Sequence, residues 1–318
     1  MSYPEPELPA RWLYGELTCH AGTREDFARL AAGWLASVPA QLLPGLYRRL
    51  RDSPPPDPRY MRELFVPAGP PGGVVGSLRV RSRPSRTGGS QAFYSEGAWT
   101  RLLDGLPTAY PFDVRFTLNP LGDNGRPMAF GAMVGVHRVH EHPEWVRLDA
   151  TAHPAISAWP DYPGYDPGAV QDAWAEFFKG QAALSGACFG HVTDDSELLY
   201  GTALERETHH DPDTTVPRCH EVLRGYSWVT ICAPELAARL GGAAALTATG
   251  AFYEVSQLSG GQVFLRATRL IEDYEGAAVR RVFEVLAPVL LTGRTAQPPP
   301  GHSPGLRVVP GADAADQR

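Results

Sequence analysis

Thirty-one prolines and 33 glycines interrupt this chain of 318 residues, about one position in five. Proline removes a backbone donor and fixes φ, while glycine raises the entropic cost of ordering, so neither sits easily inside a long element. The runs Asp52-Ser53-Pro54-Pro55-Pro56-Asp57-Pro58 and Gly69-Pro70-Pro71-Gly72-Gly73 can be neither helix nor central strand. Short elements joined by many loops are what remains. No stretch approaches the roughly 18–20 apolar residues of a membrane span. A hydrophobic fraction of 43% and a charged fraction of 20% are enough for a globular core.

Between the breakers, the side-chain periods alternate. Leu13 to His20 reads as a strand, and Thr23 before Glu25 and Asp26 reads as a helix cap. Phe27, Leu30, Ala31, Trp34, Leu35 and Val38 then share a helical face, which Pro39 and Pro44 are expected to end. Val74 to Val80 and Asp113 to Leu118 read as strands, and Ser95 to Leu106 as a helix. Asn124-Gly125 is a hairpin signal before strands at 128–139 and 145–152. Asp166-Pro167 opens a helix whose stripe is Val170, Trp174, Phe177 and Phe178. Strands at 187–192 and 226–232 follow, then a helix from Pro234 that Gly241-Gly242 closes. Residues 245–258 and 262–270 read as a strand pair, and 276–291 as a final amphipathic helix. The expected class is α+β, with two antiparallel-sheet units, each with helices packed on one face. The expected division is an N-terminal region 1–110 with Pro/Arg-rich loops, a domain at 111–292 and a disordered tail at 293–318.

Charge is unevenly spread. Residues 141–213 hold 14 acids and three bases, a balance of −11, while residues 48–86 hold nine arginines and three acids, a balance of +6. Asp194, Asp195, Glu197, Glu205, Glu207, Asp211 and Asp213 fall in a stretch with no apolar stripe to bury, and are the expected partner-binding surface. An acidic block of this kind repels nucleic acid. A second use of the same region is a metal centre: His140 and His142, with His153 or acids from 194–213, in a hydrolase-like enzyme. A third is a scaffold whose arginine loops at 79–86 meet an anionic partner.

Other catalytic patterns fail on inspection. Gly225-Tyr226-Ser227-Trp228-Val229 lacks the second glycine of a nucleophile elbow. Cys188 and His191 are three apart on a strand and face opposite ways. No phosphate-binding or dinucleotide-binding glycine loop is present, so no cofactor is expected. The four cysteines Cys19, Cys188, Cys219 and Cys232 are widely spaced and read as reduced thiols of a cytoplasmic protein, without zinc. The first residues, MSYPEPELPARW, do not have the form of a secretory signal.

The run Gly225-Tyr226-Ser227-Trp228-Val229-Thr230, followed by Pro234-Glu235-Leu236 and Leu240-Gly241-Gly242, resembles a segment of the bacterial immunity proteins associated with type VI secretion and polymorphic toxins. The strand pair at 252–270 and the helix at 276–291 continue that pattern. Trp174 on the middle helix and the lead-in Gly164-Tyr165-Asp166 are compatible with it. The resemblance implies a non-enzymatic binding protein that neutralises a cognate toxin in the cytoplasm through a complementary surface, with no cofactor and no membrane partner.

Overall fold

The computed structural model describes residues 12–61, 66–84, 89–154, 156, 166–195, 201–293 and 307–309. Strand β1 (Leu13–His20) leads into helices α1 (Arg24–Leu42) and α2 (Pro44–Asp52). Strands β2 (Val74–Arg81) and β3 (Ser90–Phe93) precede α3 (Glu96–Ala109). Strands β4 (Asp113–Pro120), β5 (Ala132–Arg138) and β6 (Trp145–Ala152) follow, then α4 (Pro167–Ser185) and β7 (Phe189–Thr193). Short helices α5 (Ala203–Thr208) and α6 (Pro212–Thr215) come before β8 (Val229–Cys232). Helices α7 (Pro234–Arg239) and α8 (Gly242–Ala248), strands β9 (Glu254–Gln257) and β10 (Val263–Arg266) and helix α9 (Ala277–Leu286) complete the order. The class is α+β with antiparallel strands. No helix among the described residues is long and apolar enough to cross a membrane.

The chain divides into two compact units: Ala21–Val170 with the residues up to Leu13, and Tyr14–His20 with the residues from Gln171 onward. In the first unit the strands run in the order β3-β2-β4-β5-β6, every neighbour antiparallel. Helix α1 begins where expected: the Thr23 hydroxyl accepts from the Asp26 amide at 3.0 Å and covers one orphan donor of the first turn. Its stripe Phe27, Leu30, Ala31, Trp34, Leu35 and Val38 is buried. The helix does not stop at Pro39 but carries that proline inside and ends at Leu42. So close to the C-terminus only one ladder bond is lost, and the burial of Leu42 offsets it. Helix α1 packs on β5 and β6, and α2 on β2 and β4. Alternate strand residues meet them: Val114, Phe116, Leu118 and Val134 are fully buried.

In the second unit the order is β1-β7-β8-β10-β9, again antiparallel throughout. The aromatic stripe of α4 lies where the periodicity placed it, with Trp174 stacked on Phe178 at 5.8 Å between centroids. Gly15 on β1 is a required glycine: a Cβ there would enter the Phe178 ring. The stretch 245–258 departs from the expected strand. Helix α8 takes up the run Gly242-Ala243-Ala244-Ala245, because alanine is the strongest helix former. Gly241 and Gly242, both at positive φ, turn the chain from α7 into α8 rather than ending the helical segment. Within the expected tail, residues 307–309 are packed, with Val308 and Val309 buried. The rest of that tail beyond Gly293 lies outside the described residues.

Candidate partner-binding surface

The sheet of the first unit has two unlike faces, because strand residues alternate. One face is the apolar floor for α1 and α2. On the other, two rows of polar residues run across the strands. Arg81, Asp113, His137 and Arg147 are cross-strand neighbours in one row; Arg79, Arg115, Gly135 and Asp149 form the next. Arg79 is exposed, and Arg81, Arg115 and His137 are half-buried.

The Asp113 carboxylate organises the first row. It is fully buried and accepts from Arg81 Nε at 2.8 Å and Arg115 Nε at 3.3 Å. His137 Nδ1 lies 2.5 Å from Asp113 Oδ1, and His137 Nε2 lies 2.5 Å from Asp149 Oδ1. Burial favours the neutral form of Asp113, but His137, Arg81 and Arg115 outweigh it and hold the carboxyl far below its ordinary range. Burial likewise opposes the charged imidazole, yet the flanking carboxylates Asp149 and Asp113 raise the His137 pKa above its usual value. Gly135 makes the arrangement possible: a Cβ at that register would overlap Asp149 Oδ1 and His137 Nε2. His137 bridges the two carboxylates, and Asp113 ties Arg81 and Arg115 to the same point. The cluster is therefore an electrostatic brace that holds arginines at fixed positions on the face.

Beside it, a groove of about 460 Å³ is lined by Tyr60, Ser77, Gln91, Phe93, Asn119 and Arg126 among others. Tyr60 and Phe93 pack on a small apolar cluster of Ala68, Val75 and Leu121 that floors this end of the face. The groove residues did not stand out in the sequence; of the arginines expected in loops at 79–86, Arg79 and Arg81 lie on strand β2.

The expected acidic surface is built differently. Asp194 is engaged by the Arg307 guanidinium at 2.7 Å. Asp195 is buried and accepts from Thr193 Oγ1 and from the Arg307 amide; burial first, and then the charge of Asp194, raise its pKa. Glu205 is buried as the third residue of a capping box with Thr202 on α5. It also meets Arg224 Nε at 2.8 Å. Asp211 caps α6 through the Asp213 amide. Glu207 and Asp213 are half-buried, Asp211 is exposed, and Glu197 lies outside the described residues. Three of the seven acids are thus turned toward internal partners.

Sequence reasoning missed the buried cluster around Arg224. This guanidinium is fully buried, donating to Glu16 Oε1 at 2.8 Å and Thr18 Oγ1 at 2.7 Å besides Glu205. Glu16 in turn accepts from the Tyr14 hydroxyl at 2.9 Å. Glu16 and Thr18, polar at alternate places on a strand of buried residues, were its one trace in the sequence.

The histidines of the metal alternative are not brought together. His140 and His142 are exposed in the turn between β5 and β6. His153 is buried at the far end of β6, its ring against Trp12 and Phe130. The eight residues of β6 separate the two groups, about 27 Å at ~3.4 Å per residue. The thiol expectation is also corrected: Cys188 and Cys219 are joined in a disulfide, with a Cα separation of 6.1 Å. Tertiary folding brings together two cysteines that spacing alone did not relate. Cys19 and Cys232 are buried outside it, and burial pushes the Cys232 thiol up to about 12.

No protein-family profile matches the chain, and no characterised protein matches it in sequence. A solved structure does: the chain is similar in fold to the "Pseudomonas aeruginosa T6SS protein PA0821", with a TM-score of 0.50 and 14% identity. The similarity covers 95% of this chain and 81% of that one.

Proposed function

We propose that this chain is a binding protein of the type VI secretion setting that neutralises a cognate toxin by docking on it. The fold similarity to a type VI secretion protein over 95% of the chain supports the setting. The observation that carries the docking reading is the arginine-bearing face of the first unit. Asp113 holds Arg81 and Arg115 in place, and Arg79 stands exposed one register away. Side chains fixed before contact lose less entropy on binding, which is the advantage of a preorganised surface. The occupant this face fits is an acidic protein surface. The acids of the 194–213 segment contribute less, since Asp194, Asp195 and Glu205 have internal partners.

The test is binding of the purified chain to the product of the adjoining gene by calorimetry. Arg79→Glu with Gln91→Glu is expected to weaken the complex at least tenfold, since like charge is placed against an acidic partner. Asp211→Lys is expected to leave it nearly unchanged. Equal affinity for the Arg79→Glu, Gln91→Glu pair and the parent chain would refute the assignment of this face. Salt-dependent retention on heparin, lost in the same variant, would move the occupant from protein to nucleic acid.

A further inference from the structure

Cys188, Cys219 and His220 present ligand atoms that all lie within 4.8 Å of one another, the two sulfurs buried and the imidazole exposed. They come from two segments of the second unit. Cys188 leads into β7, its amide held by the Thr18 carbonyl at 2.9 Å. Cys219 closes the short 3-10 turn Val216–Arg218, and His220 follows it. His220 Nδ1 lies 3.1 Å from Glu235 Oε2, at the first turn of α7.

We propose that in the reduced protein Cys188, Cys219 and His220 form a zinc site, which the Cys188–Cys219 disulfide closes when the pair is oxidised. Two thiolates and one imidazole are the donor set that zinc favours. At Zn–S distances of about 2.3 Å, tetrahedral geometry needs the sulfurs about 3.8 Å apart. A Cα separation of 6.1 Å lets the two side chains rotate apart to that distance once the bond is reduced. The Glu235 carboxylate beside Nδ1 orients the ring, as outer partners of zinc histidines do. The exposed side of His220 leaves the fourth position to water.

The interconversion balances simply. A dithiol reductant gives two electrons and two protons to the Cys188–Cys219 bond, becoming a disulfide itself and leaving two protein thiols. Zinc binding then displaces those two protons as the thiols ionise. The two cysteines thus serve a reducing compartment as metal ligands with His220 and an oxidising one as a cross-link.

The full chain, reduced with a dithiol and freed of it without air, is titrated with zinc against a chromophoric chelator and separately with cobalt(II). One equivalent of zinc and a thiolate-to-cobalt charge-transfer band are expected, and the oxidised chain should bind neither. Cys219→Ser is expected to weaken zinc binding at least a hundredfold, and Glu235→Gln about tenfold to a hundredfold. Because Cys219 is buried, His220→Ala on the exposed side is the companion variant, with circular dichroism to verify folding. Less than one equivalent of zinc in the reduced chain would overturn the proposal. So would a cobalt spectrum without thiolate character, or parent-like affinity in folded His220→Ala.

Discussion

Arg224→Met tests whether the buried cluster of the second unit is the support its geometry implies. Arg224 and Glu16 are fully buried and Glu205 is 1% exposed. The guanidinium donates to both carboxylates and to Thr18 Oγ1. Methionine keeps much of the volume and removes every one of these donors. Two buried carboxylates then face each other with no guanidinium between them; Glu16 keeps the Tyr14 hydroxyl, and Glu205 keeps the Thr202 amide and the Thr215 hydroxyl. Breaking a buried ion pair from one side costs about 3–5 kcal/mol. With a urea slope of about 2 kcal/mol/M, the midpoint of the transition that reports the second unit falls by about 1.5–2.5 M. The fluorescence of buried Trp174 and Trp228 follows that transition. The sharper arm is the triple variant with Glu16→Gln and Glu205→Gln. A neutral buried cluster has no unpaired charge, so more than half of the lost stability should return. Such non-additivity marks groups acting as one network. A single variant within about 0.5 M of the parent midpoint, or a triple variant no better than the single, would show that the charges do not carry this energy.

Three further outcomes follow from the same contacts. His137 has a raised pKa, so its contribution to stability is whole below its ordinary value of 6.5 and fades as pH rises through the folded-state value. Asp113 has a lowered pKa, so its contribution is present above 3.8 and fades as pH falls. Urea midpoints across pH should therefore decline on the alkaline side, and His137→Asn should flatten that limb; a limb unchanged in the variant counts against the brace. Gly135→Ala should cost about 1–3 kcal/mol by overpacking, read in the same melts, because its Cβ would overlap Asp149 and His137. Reducing the Cys188–Cys219 bond reopens a 31-residue separation, which chain entropy values at about 3.7 kcal/mol; metal-free reduced protein should melt correspondingly earlier, and an unchanged melting temperature would argue against the cross-link.

Much of the secondary structure could be read in advance because it is written in local periods. The β1 strand, the Thr23 cap and the Trp174 stripe are each set by residues close in sequence, and each forms where expected. The failures share a different property. Asp194 and Glu205 read as a solvated run because their partners are remote: Arg307 lies 113 residues away and Arg224 lies 19 away. The Cys188–Cys219 bond spans 31 residues, and His153 is carried to the opposite end of β6 from His142. At 245–258 the departure is local, since three alanines in a row carry no amphipathic signal yet favour helix. The site on the first unit was half legible. Arg79, Arg81 and Arg115 were visible as charges, but only the register brings Asp113, His137 and Asp149 into one row-to-row cluster.

Association rates depend on residual charge rather than counted charge. By sequence count, residues 48–86 and 141–213 form opposed blocks, and such a field should speed encounter with a charged partner by 10–10³. In the structure much of that charge is already matched within its own unit. Arg51 pairs with Glu96 and Arg59 with Asp57, while Asp113 offsets only one of the two charges of Arg81 and Arg115. On the acidic side, Asp172 pairs with Arg266, Asp194 with Arg307 and Glu205 with Arg224. Matched pairs act at a distance as dipoles, whose field falls faster than that of a lone charge and is screened within about 10 Å at 0.1 M salt. The association rate with an acidic partner should therefore fall less than about tenfold from low to physiological salt. Arg79→Glu should remove most of that dependence, because Arg79 is exposed on the face. Stopped-flow rates over a salt series measure both. A steep fall that Arg79→Glu leaves intact would mean that the steering charge lies elsewhere and that the first-unit face is not where the partner arrives.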